Sequence, residues 1–180
     1  MTQSVTVTVQ DIARYIRDVP DFPKPGIVFK DITPLLLDAT AFRRAVELMT
    51  APFRRAKVAR VVSIESRGFL LGAPIALALE AGLVPMRKPG KLPAERGRVE
   101  YALEYGTDAL EMHKDAVSAG DRVLVVDDVL ATGGTAAAAA QLVRAHGAEV
   151  VGFTFLIELD FLHGRARLQG ERIEALLHYA

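Results

Sequence analysis

Short apolar runs rich in β-branched residues recur through the chain from residue 58 onwards and alternate little with polar residues. They cover residues 58–64, 83–86, 123–126 and 150–157. Such runs are typical of strands that are buried on both faces, as in parallel sheets. Helical patterns over 69–81 and 135–146 separate them, and Gly147 stands where a helix C-terminus favours glycine. The alternation predicts an α/β fold with a central parallel sheet flanked by helices.

The first 57 residues follow a different pattern. Asp11 can cap a short helix that carries Ile12, Tyr15, Ile16 and Val19 on one face. The proline-containing segment 20–25 ends this helix, and residues 26–33 form a turn and a short extended piece. Apolar positions in 41–55 then predict a longer amphipathic helix.

Residues 89–113 are charged and contain Gly and Pro, which is unusual for the interior of a compact domain. Within them, 101–105 and 109–113 flank Gly106-Thr-Asp108 and predict a β-hairpin outside the main sheet. The sequence contains no internal repeat and no low-complexity linker. We therefore expect one domain over residues 1–180.

Composition removes several classes of protein. The 22 basic and 22 acidic side chains balance, so no general attraction to nucleic acid or to anionic membranes is expected. The absence of cysteine excludes disulfides, a thiol nucleophile and Cys-ligated zinc. The four histidines show no metal-ligand spacing. We find neither a signal peptide nor an apolar stretch that could span a bilayer, and we expect a cytoplasmic protein.

The most informative stretch is 123–135, Val-Leu-Val-Val-Asp-Asp-Val-Leu-Ala-Thr-Gly-Gly-Thr. A strand delivers two acids at its carboxyl end, the edge at which open α/β sheets bind ligands. A turn of small residues and a helix start follow, so that backbone N–H groups, hydroxyls and a helix dipole can converge on a phosphate. The residues of this turn are Ala131, Thr132, Gly133, Gly134 and Thr135.

The two acids cannot bind the phosphate themselves, because like charges repel. Asp127 and Asp128 suit the hydroxyls of a ribose or the water shell of a Mg²⁺ ion. No Gly-x-x-x-x-Gly-Lys-[Ser/Thr] and no Gly-x-Gly-x-x-Gly occurs, so neither a nucleoside-triphosphate loop nor a dinucleotide site is supported.

A strand, two acids and a Thr-Gly-Gly-Thr turn in this order resemble the signature of the type I phosphoribosyltransferases. The resemblance implies a parallel sheet with a smaller hood, here mainly residues 1–40, and a flexible loop and hairpin at about 87–113. It also implies phosphoribosyl pyrophosphate as donor, and Mg²⁺ bound through substrate and water with no direct protein ligand.

Further segments resemble the adenine-specific branch of this family: 22–34, 63–72, 86–93, 101–106 and 110–113. The resemblance implies adenine as acceptor, with AMP and pyrophosphate as products. Pyrophosphate would be held by Glu65, Ser66, Arg67, Arg87, Lys88 and Lys91. Relatives often have a strained peptide where Glu65 joins Ser66. Many carry aspartate in place of Glu65 and arginine in place of Lys30.

The same resemblance implies which residues transfer a proton and which recognise the base. Glu104 would serve the imidazole edge of the purine as the catalytic acid or base, and Tyr105 would help cover the site. Val28, Phe29 and Lys30 would read adenine through backbone groups, with Phe29 either stacked on the ring or part of the core. Arg87 is expected to enter the site of a neighbouring subunit, which implies a homodimer.

Two alternatives remain at this stage. A phosphoribosyltransferase for xanthine or hypoxanthine would share the donor site. A regulator that senses phosphoribosyl pyrophosphate and binds DNA would share the fold, but about nineteen residues before the matching region are few for an added DNA-binding domain.

Overall fold

The computed structural model describes residues 8–102 and 107–180. The chain divides into two compact units, Met1–Leu48 and Met49–Ala180. Within the described residues, no helix is both long enough and apolar enough to cross a membrane.

The first unit starts with a short helix, α1 (Val9–Ala13), and an antiparallel strand pair. The helix prediction was right in kind but wrong in detail, because Thr8 is the N-cap and Asp11 completes a capping box from within the first turn. The helix also ends earlier than expected. Residues assigned to its apolar face continue into β1 (Arg17–Pro20), which pairs with β2 (Val28–Asp31).

Helix α2 (Thr33–Leu37) and helix α3 (Ala39–Thr50) follow β2. The Asp38 carboxylate accepts the backbone N–H groups of Thr40 and Ala41 at 3.0 and 2.8 Å and so caps the start of α3. The amphipathic helix expected over 41–55 is confirmed, although a 3₁₀ turn, Ala51–Phe53, replaces its last part. Pro52 has no N–H to continue the α-helical bonding.

The second unit is built on a five-stranded sheet in the order β4-β3-β7-β8-β9, in which every neighbouring pair is parallel. The strands are β3 (Arg60–Ile64), β4 (Gly82–Met86), β7 (Arg122–Leu130), β8 (Glu149–Leu159) and β9 (Ile173–Tyr179). The predicted parallel sheet is therefore confirmed. The four expected strands are present, and β9 is an additional strand at one edge of the sheet.

Two helices and a hairpin pack against this sheet. Helix α4 (Gly68–Ala78) lies against β3, β4 and β7, and helix α5 (Gly134–Ala145) contacts β7 and β8. The expected hairpin outside the main sheet is confirmed as a separate antiparallel pair, β5 (Arg96–Ala102) and β6 (Thr107–His113), that also contacts α5. Its bounds differ from the prediction, because β5 starts before residue 101 and β6 includes Thr107 and Asp108, which were expected in the turn. Residues 103–105 of the expected first strand lie outside the described residues. Alanines 136 and 138–140 of α5 are all at most 4% exposed, so their small side chains allow close packing on both sides.

Candidate functional site

The loops that follow β3 and β7 emerge at the same edge of the sheet. These strands are parallel neighbours, with Val62 opposite Val125 and Ser63 opposite Val126. Residues 65–67 follow β3, while the two acids lie near the end of β7 and the small-residue turn comes after it. Gly68 brings the two segments close together, since a Cβ built there would lie 2.8 Å from Asp127 Oδ1. One edge thus collects most of the residues singled out in the second unit.

The turn after β7 forms a hollow at the N-terminus of α5. Gly133 occupies the N-cap position with φ of 78°, a left-handed conformation that glycine adopts without strain. Its N–H and those that follow have no earlier helical carbonyl to bond, so they are available to an anion at the positive end of the helix dipole. The hollow is lined by Asp127, Val129, Leu130, Ala131, Thr132, Gly133, Gly134, Thr135, Ala136 and Phe155.

The acid pair stands beside this hollow. Asp128 is buried, with its Oδ2 atom 2.7 Å from Arg67 Nε but outside hydrogen-bond alignment. Burial raises the pKa of Asp128, and burial together with the neighbouring charge of Asp128 raises the pKa of Asp127. Two carboxyl groups that resist ionisation side by side gain from hydroxyl donors or a hydrated cation. The site chemistry therefore fits a ribose, a Mg²⁺ ion or both.

The basic loop after β4 converges on Glu65. The Glu65 carboxylate accepts from Arg87 Nε at 3.0 Å, from the Lys88 backbone N–H at 2.9 Å, and from Lys91 Nζ. The Glu65–Ser66 peptide bond is cis, at the position where the resemblance implied an unusual peptide. Glu65 thus holds together three cationic residues that the sequence assigned to an anionic ligand.

Lys88 is also connected to the hairpin and the phosphate turn. Its ammonium group donates to Asp108 and, at 2.9 Å, to the Tyr101 hydroxyl, which in turn lies 3.5 Å from Thr135 Oγ1. Although burial alone would lower the pKa of Lys88, these partners raise it. Burial alone would raise the pKa of Asp108, but the hydrogen bond from Lys88 lowers it. Lys88 therefore remains charged in contact with the hairpin.

The Glu65 contacts predict a dependence of stability on pH. Burial alone would raise the pKa of Glu65, but the hydrogen bonds from Lys91, Lys88 and Arg87 lower it from 4.5 to about 2. A carboxylate with a depressed folded-state pKa contributes stability above its unfolded pKa and loses it as the pH falls. We expect the free energy of unfolding of wild type to exceed that of Glu65→Gln by about 1–2 kcal/mol at neutral pH, because solvent screens part of these interactions. The difference should shrink progressively as the pH falls from 4.5 towards 2.

Urea unfolding at several pH values measures this difference. Glu95→Gln is a suitable control, because that side chain is 85% exposed in its ion pair with Lys114 and should contribute little at any pH. A difference between wild type and Glu65→Gln that stays constant down to pH 2 would contradict the assigned contacts.

In the first unit, the three residues expected to read the base lie in β2. Val28 is 50% exposed, the Phe29 ring meets the Phe22 ring edge-on at a centroid distance of 5.2 Å, and Lys30 Nζ pairs with Asp18 at 2.6 Å. Among the strands that the structure describes, β2 has a partner, β1, on one side only.

Glu104 and Tyr105, the expected proton-transfer and covering residues, lie outside the described residues. The hairpin is connected to the basic loop by three residues that the sequence did not single out, Tyr101, Asp108 and Glu111. A regular strand pattern gave no reason to single them out. Their partners are up to 34 residues away in the chain.

The strands β8 and β9 bring together a further set of potential metal ligands that the sequence did not indicate. Glu158, Asp160 and His178 place ligand atoms within 4.8 Å of one another, because Glu158 and His178 are opposite each other in β8 and β9. The Glu158 carboxylate is already held by Arg165, whose Nε and Nη2 atoms lie 2.7 Å from its two oxygens. This arrangement is a charge-compensated ion-pair cluster that fixes the edge strand.

Comparison with known proteins agrees with this geometry. The sequence profile of the phosphoribosyl transferase domain matches residues 36–171. The chain is 62% identical to adenine phosphoribosyltransferase of Myxococcus xanthus over 97% of its own length and 95% of the relative's. The chain belongs to the adenine phosphoribosyltransferase family.

Solved structures support the same assignment. The enzyme of Thermoanaerobacter pseudethanolicus is 53% identical and superimposes with a TM-score of 0.93 over 96% of this chain and 100% of that one. The enzyme of Saccharomyces cerevisiae, solved with adenine and an imino-altritol bisphosphate, is 40% identical, with a TM-score of 0.90 over 94% and 98% of the two chains. The type I phosphoribosyltransferase fold expected from the sequence is therefore confirmed.

Proposed function

We propose that this chain transfers the 5-phosphoribosyl group from phosphoribosyl pyrophosphate to adenine, giving AMP and pyrophosphate in purine salvage. The observation that carries the proposal is the convergence, at one sheet edge, of an anion-binding turn, an acid pair and a basic loop. The relatives described above, which bear the name of this activity, support adenine as the acceptor.

The donor is bound at the end of β7. The backbone N–H groups of Gly133, Gly134 and Thr135, with the hydroxyls of Thr132 and Thr135, take the 5′-phosphate. Asp127 and Asp128 accept hydrogen bonds from the ribose hydroxyls, which relieves the unfavourable proximity of two carboxyl groups, one buried and one half-buried. This fixes the anomeric carbon relative to the sheet edge.

The pyrophosphate leaves towards the loops after β3 and β4. Ser66 and Arg67 lie just before α4, with Arg67 beside Asp128. Arg87, Lys88 and Lys91 exchange their contacts with Glu65 for pyrophosphate oxygens. Because Arg87 pairs with Glu65 of its own chain, we place it in the site of its own subunit, and not in that of a neighbour as the resemblance implied. Mg²⁺, when bound with the donor, offsets part of the leaving group's charge, and the acid pair fits its hydration shell. Stabilising the departing charge favours the oxocarbenium-like state at the anomeric carbon.

Adenine is read by the backbone of Val28, Phe29 and Lys30, which lie in β2. Its amino group requires an acceptor and its adjacent ring nitrogen a donor, and 6-oxopurines reverse this pattern. The wrong base would leave buried polar groups unpaired. Glu104 exchanges a proton with the imidazole edge, while Tyr105 covers the site.

The test is nucleotide formation from phosphoribosyl pyrophosphate and Mg²⁺, with adenine, hypoxanthine, guanine and xanthine supplied separately. We expect AMP from adenine and no product from the other bases. Turnover of a 6-oxopurine would leave the donor site intact but overturn base reading by residues 28–30. Donor binding without any product would favour the sensor alternative, which specific DNA binding would then confirm.

The acid pair gives a further prediction. Asp127→Asn combined with Asp128→Asn should weaken binding of the Mg²⁺–donor complex on the order of tenfold or more, because amides accept hydroxyl hydrogen bonds more weakly and do not attract the cation. Titration calorimetry at several Mg²⁺ concentrations measures the effect. The exposed Asp115→Asn is the control. Undiminished donor affinity in the double variant would rule out the ribose assignment.

We further propose that the protein is cytoplasmic and forms a homodimer. We also propose that residues 1–180 function as one phosphoribosyltransferase domain. Leu70 and Leu77 of α4 are 47% and 81% exposed seven residues apart, and Leu83 in the edge strand β4 is 44% exposed. Apolar side chains on a helix face and an adjacent sheet edge suit contact with a second copy. Sedimentation equilibrium should give twice the 19.5 kDa chain mass, and a monomer would exclude the dimer.

A further inference from the structure

Glu111 is a buried carboxylate that the proposed chemistry leaves without a role. It lies in β6, and its side chain is 3% exposed. Its Oε2 atom accepts the backbone N–H of Gly90 at 2.9 Å and pairs with Arg96 Nε at 3.1 Å. Burying a carboxylate costs free energy unless it is paired and hydrogen-bonded, so a purely packing role would be served better by an apolar residue.

The main chain of the same residue holds the start of the basic loop. The N–H of Arg87 donates to Glu111 O at 2.9 Å, and the N–H of Glu111 donates to Arg87 O at 2.8 Å. The backbone of Glu111 therefore holds Arg87, and the side chain of Glu111 holds Gly90. Lys88 and Pro89 are held between these two attachments.

The segment between the attachments has the sequence of a tight turn. Lys88-Pro89-Gly90-Lys91 places proline before a glycine with φ of 80°, which is the signature of a type II β-turn. In such a turn the peptide N–H of the glycine is fixed in direction. The Glu111 carboxylate that accepts it orients the turn as a whole and, with it, the adjacent side chains.

These side chains are the three cations of the basic loop. The Glu65 carboxylate accepts from the side chains of Arg87 and Lys91 and from the backbone N–H of Lys88. The Lys88 ammonium group donates to Asp108. Both carboxylates contact these cations directly, whereas Glu111 contacts the loop only through peptide groups. Its influence on an anion bound by the cations must therefore be indirect.

We propose that Glu111 is a positioning residue that orients the basic loop, so that Arg87, Lys88 and Lys91 converge on the pyrophosphate group of the donor. The inference rests on the proposed function and adds a residue that touches neither substrate. Removing its carboxylate leaves the Gly90 N–H without its acceptor and frees the turn to rotate, while the cations themselves remain.

The test is steady-state kinetics of Glu111→Ala with each substrate varied in turn. We expect the KM for phosphoribosyl pyrophosphate to rise about tenfold, and the KM for adenine to stay within about twofold of wild type. Glu111→Gln, whose amide oxygen can still accept the Gly90 N–H, should recover most of the loss. Glu100→Ala is the matched control, because Glu100 lies in the same hairpin but is 66% exposed in its pair with Arg98.

A double-mutant cycle separates positioning from general stabilisation. If Glu111 acts through the loop cations, Glu111→Ala should raise the donor KM much less in a Lys91→Ala background than in wild type. Additive effects, equal rises in both KM values, or an unchanged donor KM in Glu111→Ala would overturn the proposal. Should Glu111→Ala not fold, Glu111→Asp, which withdraws the carboxylate from Gly90 by one methylene, should show the same selective rise, and an unchanged donor KM there would overturn it.

Wild-type protein that forms no AMP from adenine contradicts the proposed function. Wild-type protein that forms AMP, with a donor KM insensitive to Glu111, contradicts the positioning role alone.

Discussion

Gly133→Ala is expected to abolish most donor binding and to destabilise the second unit by about 3 kcal/mol. Alanine would have to adopt the φ of 78° that Gly133 has at the N-cap of α5, which costs about 1 kcal/mol or more. Its Cβ would also lie 2.3 Å from the carbonyl oxygen of Gly164. Because that oxygen belongs to the backbone, it cannot yield by rotating a side chain, and the turn itself must move.

Movement of this turn is the reason for the predicted loss of binding. The amide groups of Gly133, Gly134 and Thr135 can hold a phosphate only while they point into one hollow. A displacement of about 1 Å removes aligned hydrogen bonds to a charged ligand, each contributing about 1.5–3 kcal/mol. Donor affinity should therefore fall on the order of a hundredfold.

Gly120→Ala separates the two causes. Gly120 has φ of 83°, but a Cβ built there meets nothing within 4 Å. This control should cost about 1 kcal/mol of stability and leave donor binding unchanged. Urea unfolding and titration calorimetry of both variants measure the difference. Equal effects of the two substitutions on donor binding would show that the close approach to Gly164 has no functional importance.

The central sheet was predictable because its strands are chemically simple. Strands buried on both faces must be apolar and favour β-branched side chains, so β3, β7 and β8 appear in the sequence as short continuous runs. The edge strand β9 reads Ile-Glu-Ala-Leu-Leu-His-Tyr and is mostly half-buried. A mixed composition of this kind carries no clear period, and the strand exists because β8 offers it an edge to pair with.

The first unit shows where local signals compete. The apolar spacing of Ile12, Tyr15, Ile16 and Val19 favours a helix, but pairing of β1 with β2 takes the last part of that segment. Asp11 is a good N-cap residue by type, yet Thr8 takes that position and Asp11 completes the capping box. Long-range strand pairing therefore determines where α1 ends, and the side chain of Thr8 determines where it begins.

In the candidate site, only the residues that are adjacent in the chain could be interpreted from the sequence. The acid pair and the turn at 131–135 are consecutive, so their chemistry could be inferred before their geometry was known. The contacts of Glu65 with Arg87 and Lys91, and of Glu111 with Gly90, join residues 21 to 26 positions apart. No periodic pattern encodes such pairs. The functional roles assigned to all these residues remain predictions.

Glu104→Gln is expected to have the largest effect on turnover of any single substitution. Proton transfer by a positioned side chain contributes about 10²–10⁴ in rate, and glutamine preserves the shape of glutamate while removing its titratable group. We expect kcat to fall within that range. Because the proposed donor site is formed by the turn after β7 and the basic loop, the KM for phosphoribosyl pyrophosphate should change less than about threefold.

Two measurements separate proton transfer from a structural role of the hairpin. If Glu104 transfers the proton, one limb of the wild-type pH–kcat profile reports its ionisation and should be absent from Glu104→Gln. If the substitution only shifts the hairpin, that limb belongs to another group and should remain, at a lower kcat. The control is Glu100→Gln, since Glu100 lies in β5 but is exposed and paired with Arg98. This variant should match wild type in kcat and in the shape of the pH–kcat profile. An unchanged kcat in Glu104→Gln would refute the proton-transfer role and leave the shift of charge to pyrophosphate as the main source of catalysis.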